Sequence, residues 1–198
     1  TTLFRSSNGG KGQIVDAAMV DGASVLMSMF YAFKASGFWK EERESNMLDG
    51  AAHFYDTYEC LDKKFLSIGS IEPQFYSILL EKLEITEPQF QDQLKQDQWP
   101  ELKFIMQEKI KTKTRDEWAE IFDGSDACVA PILTLSEAPE HHHMKARKSF
   151  LEIDGVIQPA PAPRFSETPG EIKHSSVKAG QDNDEICERF QLDRSCFS

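Results

Sequence analysis

Large and polar side chains alternate most clearly between residues 54 and 71. Phe54-Tyr55-Asp56-Thr57-Tyr58 alternates large and polar side chains along an extended chain. After Leu61-Asp62-Lys63 the theme resumes with Phe65, Ile68 and Ile71. Apolar runs on both sides of a short polar break predict a β-hairpin. The second strand runs into Ile71-Glu72-Pro73, where proline suits the first turn of a helix because it has no N–H to leave unpaired. Glu72 therefore falls on a strand-to-helix corner, and two readings are open. Either its charge faces the positive end of the helix dipole as a cap, or it serves a site at the kind of corner where functional side chains often sit.

Elsewhere the apolar positions recur at helical spacing. Gln13–Asp16 reads as a short β-type run leading into Ala17–Ser36. There Ala18, Val25, Met29 and Phe33, widened by Met19, Leu26 and Phe30, predict one long, largely buried helix. Gly37 closes it, and Trp39–Ser45, rich in Glu and Arg, reads as a solvated linker. After Pro73, Gln74–Leu83 is a helix through Phe75, Ile78, Leu79 and Leu83, and Thr86–Gln98 is a polar, exposed segment. Glu101–Thr112 is a helix through Leu102, Ile105, Met106 and Ile110. Thr114-Arg115-Asp116-Glu117 is close to a capping box for a helix ending at Gly124.

The continuous apolar run Cys128–Leu133 predicts a buried strand. Leu135–Lys145 reads as a helix carrying His141-His142-His143, and Phe150–Ile157 as a strand turning at Asp154-Gly155. The prolines at 159, 161 and 163 lack the donor that a sheet interior or helix requires, so an extended connector follows. Asp182–Phe190 is the last helix.

Composition narrows the function classes. With 198 residues, 40% hydrophobic and 28% charged, the chain is an ordinary soluble globular type with about one domain's worth of core. No apolar run is long enough to cross a bilayer. The net charge of −11 comes without the basic stripe that a nucleic-acid surface needs, so no nucleic-acid partner is expected. Cys60, Cys128, Cys187 and Cys196 lack CxxC spacing and read as reduced thiols in an intracellular compartment. Neighbouring histidines on a helix point about 100° apart. With no Cys or carboxylate at useful spacing, 141–143 reads as a solvated face, and neither metal nor cofactor is expected. Met19, Met27, Met29 and Met47 either fill a core or line a pliable apolar surface, since thioethers adapt to varied shapes. Lys11, between two glycines, is a turn lysine or a phosphate contact.

Several words in the chain are unusual. Gly10-Lys11-Gly12-Gln13-Ile14-Val15-Asp16-Ala17-Ala18-Met19-Val20, Asn46-Met47-Leu48-Asp49-Gly50 and Ile71-Glu72-Pro73-Gln74-Phe75 resemble the family III CoA-transferases, and within them the α-methylacyl-CoA racemases. Asp97-Gln98-Trp99-Pro100-Glu101, Trp118–Phe122 and Asp123–Leu133 keep the family's order over nearly the whole chain. The resemblance implies an α/β fold made of the family's C-terminal half. Residues 1–40 would be a large-domain segment and linker helix, 41–148 an α+β small domain, and 149–198 a return connector and a helix packing on a Rossmann-like large domain. Thr1–Arg5 reads as the tail of an interrupted helix, which fits that expectation.

The implied activity is interconversion of 2R and 2S 2-methylacyl-CoA thioesters. The α-proton leaves one face and returns to the other, which requires two acid/base groups and donors for the intervening enolate. In the racemases those groups are a histidine and an aspartate, expected upstream of Thr1. What carries over is Glu72, which in the family orients the catalytic histidine. Met47, Leu48, Tyr55 and Ile71 are implied as walls of the acyl pocket, with Asn46 and Asp49 shaping its loop. His53 stands where the family commonly carries proline, and is expected beside the pocket without a role in proton transfer. The resemblance also implies an acyl-CoA partner, an interlocked homodimer, and residence in a peroxisome, mitochondrion or the cytoplasm. Two readings stay open beside it: an acyl-CoA:carboxylate CoA-transferase with an upstream aspartate nucleophile, and an inactive dimerising fragment.

Overall fold

Helix α1 (Met19–Leu26) and helix α2 (Ser28–Ala35) occupy the stretch predicted as one helix, and they part at Met27. The break has local causes. Gly22 weakens the first helix, and the hydroxyls of Ser24 and Ser28 donate to the carbonyls of Val20 and Val25 at 2.8 and 2.6 Å, a back-bonding that bends helices. Gly37 ends α2 as expected. At φ +79 it lets its own N–H reach Lys34 O and that of Phe38 reach Phe33 O. The burial expected here is not found: Met19, Val25, Leu26 and Met29 are all at least half exposed. Periodicity records that a face is apolar and not what covers it. Ile14–Asp16 forms no strand, since no neighbouring strand pairs with it among the described residues.

The computed structural model describes residues 9–10 and 14–193. The readings made on Thr1–Arg5, Lys11, Gln13 and Cys196 lie outside the described residues. The chain divides into two compact units between Ile132 and Leu133.

In the first unit the predicted hairpin forms. Strand β1 (Tyr55–Glu59) pairs antiparallel with β2 (Phe65–Gly69), Thr57 opposite Ser67. Tyr58, Leu66 and Ile68 face inward while Tyr55, Phe65 and Ser67 face out, the period of two that one buried sheet face imposes. Helices α3 (Pro73–Leu83), α4 (Trp99–Ile110) and α5 (Arg115–Phe122) supply the rest of one core, through Leu79, Leu83, Trp99, Leu102, Met106 and Trp118. Each such side chain contributes about 1.5–3 kcal/mol by leaving water. The outer edge of β1 is closed by a side chain: the Gln107 amide donates to Glu59 O at 2.7 Å and accepts from Glu59 N–H at 3.2 Å.

Two segments of this unit differ from what their sequence pattern predicts. Residues 86–98 are less exposed than their composition suggests: they form short 3₁₀ turns at Pro88–Gln91 and Gln96–Gln98, with Phe90 and Gln93 buried. The run 128–133 gives only a three-residue strand, β3 (Val129–Pro131), paired to β2 with Ala130 exposed. Cys128 is left-handed before it (φ +54), and Pro131 brings no N–H to the ladder.

In the second unit the continuous helix expected over Leu135–Lys145 does not form. A 3₁₀ turn at Ala138–Glu140 precedes helix α6 (His142–Ala146), because Pro139 cannot donate in a helix interior. Strands β4 (Phe150–Ile153) and β5 (Val156–Pro159) make a hairpin through Asp154 and Gly155, both at positive φ, where the turn was read. Residues 160–182 are without helix or strand, and helix α7 (Asn183–Phe190) follows.

Candidate functional site

Glu72 occupies the expected corner. It is the residue before α3, extended at φ −72 and ψ 141, with Pro73 as the first helical residue. Its carbonyl accepts from the Phe75 and Tyr76 N–H groups at 3.0 Å, but its carboxylate caps no helix N–H. The side chain is exposed and makes no hydrogen bond or ion pair among the described residues. Its charge reaches the Cys128 thiol: partial burial raises that thiol's pKa, and the carboxylates of Glu72 and Asp126 raise it further.

The loop 46–50 is tied from within. Asn46, buried, accepts from Lys40 N–H at 2.8 Å and donates from Nδ2 to Lys40 O at 3.0 Å and Asp49 Oδ2 at 2.7 Å. Asp49 in turn accepts from the Asn46 and Ser45 N–H groups at 2.8 and 3.3 Å. Burial pushes the Asp49 carboxyl upward, but the hydrogen bonds from Asn46, Ser45 and Ala51 outweigh it and hold the pKa below its ordinary value. Both polar side chains thus face the loop they shape.

Two clefts open beside this loop. An apolar one of about 330 Å³ is lined by Met47 and Leu48 together with Phe33, Phe38, Trp39 and Leu94. A second, of about 410 Å³, is lined by Leu48, Asp49, Tyr55, Asp56, Gly69 and Cys128. Leu48 belongs to both. Tyr55 lies over Gly69, its cross-strand partner, with ring carbons 3.7 Å from where a Cβ at 69 would stand. Ile71 and Glu72 line neither cleft, and Ile71 packs against the core. The two carboxylates of the second cleft are engaged, Asp49 by Asn46 and Asp56 by Lys103. By itself the first cleft offers a wall for an apolar chain, the second is of mixed polarity, and neither holds a free acid/base pair on opposite faces among the described residues.

His53 is fully buried and lines neither cleft. Its Nε2 lies 2.7 Å from the Tyr76 hydroxyl, which itself donates to Phe90 O at 3.0 Å. Nε2 therefore carries the proton, and Nδ1 has no partner among the described residues. Burial lowers the pKa to about 4, so the ring is neutral near pH 7. Cys128 and Gly69 are cleft residues that the sequence reading did not single out. The only available signal was the Asp-Ala-Cys word, which says nothing of a left-handed backbone.

Residues 1–183 match the family described as CoA-transferase family III. The chain belongs to that family. It is 43% identical over 169 residues to the alpha-methylacyl-CoA racemase of Mus musculus, covering 84% of this chain and 44% of the relative. With the alpha-methylacyl-CoA racemase of Homo sapiens the identity is 40% over 195 residues, covering 97% and 51%. The chain spans about half the length of these curated relatives. A CaiB/BaiF family protein from Brucella suis superposes with a TM-score of 0.68 at 24% identity, covering 96% of this chain and 50% of that one. Rv3272 from Mycobacterium tuberculosis superposes at 0.65 with 16% identity, covering 92% and 48%. The α/β class expected of a family III CoA-transferase holds, with helices packed on small sheets.

Proposed function

We propose that this chain is the acyl-pocket half of an α-methylacyl-CoA racemase, which interconverts 2R and 2S 2-methylacyl-CoA thioesters through an enolate. The observation that carries the reading is Glu72: an exposed carboxylate without a partner among the described residues, held on a corner from which its charge reaches Cys128, a residue of the Leu48/Tyr55 cleft. A carboxylate so placed is free to accept the Nδ1–H of an imidazole, fixing its tautomer and stabilising its charged form. The histidine and aspartate that exchange the proton come from polypeptide outside this sequence. Residues 41–148 act as the small domain, and the working species is an interlocked homodimer. The 40–43% identity to two racemases supports this reading.

A test on the full-length protein distinguishes it from CoA transfer. Racemisation incorporates deuterium from solvent at the α-carbon, whereas a transferase moves CoA to an added carboxylate without that exchange. In the full-length protein, Glu72→Gln should lower kcat by about 10- to 100-fold with little change in KM, as expected for lost alignment of a reacting group. Unchanged turnover would leave Glu72 no part in the chemistry.

A further inference from the structure

We infer that Gln93 is a positioning residue that sets the direction of the Glu72 carboxylate, an inference that rests on the role proposed for Glu72. Its side-chain Nε2 donates to two successive carbonyls, Ser70 O at 3.0 Å and Ile71 O at 2.9 Å. The second carbonyl belongs to the peptide that joins Ile71 to Glu72. One amide group therefore fixes two consecutive peptide planes immediately before the carboxylate-bearing residue.

The remaining groups of the corner are fixed as well. Ser70 N–H donates to Phe54 O at 3.0 Å, Ser70 Oγ–H to Ala127 O at 2.5 Å, and Ile71 N–H to Gly69 O at 3.0 Å. On the far side the Pro73 ring disfavours helical backbone at Glu72, which is extended as observed. Gln93 is itself anchored, since its carbonyl accepts the indole N–H of the buried Trp99 at 2.8 Å. The bonds thus run without a gap from the start of α4 to the corner, and Glu72 has only its own side-chain torsions left to vary. Acid/base groups lose rate steeply when displaced by about 1 Å. A buried amide holding this corner therefore acts on alignment as well as on stability. A leucine in its place would leave the buried Ser70 carbonyl without its donor.

The test compares Gln93→Leu, Glu72→Gln and the double variant in the full-length protein, by α-deuterium exchange. Gln93→Leu should lower kcat about 10-fold with KM within about twofold. It should also shift the pH profile of kcat in the same direction as Glu72→Gln, because both disturb one carboxylate–imidazole contact. The double variant should be no slower than Glu72→Gln alone. Should Gln93→Leu fail to fold by circular dichroism, Gln93→Glu, close in shape but lacking the amide donors, gives the same comparison. Multiplicative losses, or a Gln93 variant with an unshifted pH profile, would reduce Gln93 to a core residue and overturn the inference. Normal turnover in Glu72→Gln removes the proposed role of Glu72 and the inference with it. A slow Glu72→Gln beside a normal Gln93→Leu removes the inference alone.

Discussion

The Nε2 of His53 lies 2.7 Å from the hydroxyl of Tyr76, and both side chains are buried. Aromatic rings of Phe54, Tyr76 and Phe90 surround the imidazole edge-on at 5.1–5.6 Å. The titratable groups at its contacts are the phenols of Tyr76 and of Tyr58, the latter donating to the His53 carbonyl at 2.5 Å. Burial alone lowers the imidazole from 6.5 to about 4. Between those values the unfolded chain binds a proton that the folded chain refuses, so stability is full above about pH 6.5 and falls as the pH drops toward 4. The loss across that window is about 3 kcal/mol. Urea midpoints measured from pH 7 to 4.5 should fall accordingly, and His53→Phe should flatten that dependence. A pH-independent midpoint in the unaltered protein would mean that the ring is not buried neutral.

Asn46 and Asp49 make a second, separable contribution. Asn46→Ala removes one donor and one acceptor that bridge Lys40, Asp49 and the loop backbone. It should cost about 1–3 kcal/mol, the penalty for buried polar groups left unpaired. The Asp49 carboxyl loses its strongest stabilising partner and should titrate at higher pH than before. Chemical denaturation gives the first quantity and an NMR titration of Asp49 the second.

Patterns that close over a few residues were legible in the sequence. The hairpin, the Gly37 helix end, the Thr114 capping box and the Asp154-Gly155 turn each depend on neighbours, and each stands where it was read. What depends on distant surfaces was not legible. The stripe of α1 and α2 predicts burial but is largely exposed, because an amphipathic face encodes burial without naming its cover. The apolar run Cys128–Leu133 predicts a buried strand because such runs suit sheet interiors, yet only Val129–Pro131 pairs, at the edge of a small sheet. Gln93 is one of five glutamines between residues 89 and 98, and only the fold selects it for burial. Of the site positions, Asn46, Met47, Leu48, Asp49 and Tyr55 gather on the two clefts, whereas Ile71 and Glu72 line neither.

The capping box at α5 gives a prediction of known scale. Thr114 Oγ1 accepts from Glu117 N–H at 3.3 Å, and Glu117 Oε2 accepts from Thr114 N–H at 2.8 Å. Thr114→Ala should destabilise the fold by about 1 kcal/mol. The Glu117 carboxyl, held below its ordinary pKa by the Thr114 backbone and side chain, should move up. A thermal melt and a carboxylate titration read the two effects, and Thr114→Ser should preserve both.

Lys103 on α4 joins the sheet to the loop that carries Met47 and Leu48. Its ammonium pairs with Asp56 on β1 and donates to Gly50 O at 2.6 Å. Gly50 is at φ +95, a conformation open mainly to glycine, so this carbonyl is aimed by the backbone and not by chance. Exposed ion pairs contribute at most about 1 kcal/mol. This pair is 31% and 19% exposed and shares its cation with a backbone acceptor, so solvent screens it less than an ordinary surface pair. Lys103→Met should cost about 1–3 kcal/mol, since it leaves the Gly50 carbonyl without its donor and the partly buried Asp56 carboxylate with only the Thr57 N–H and no cation. Asp56→Asn removes the same ion pair, so a double-mutant cycle should show coupling of at least about 0.5 kcal/mol. Denaturation of the four proteins measures it, and strict additivity would class the contact with ordinary surface pairs.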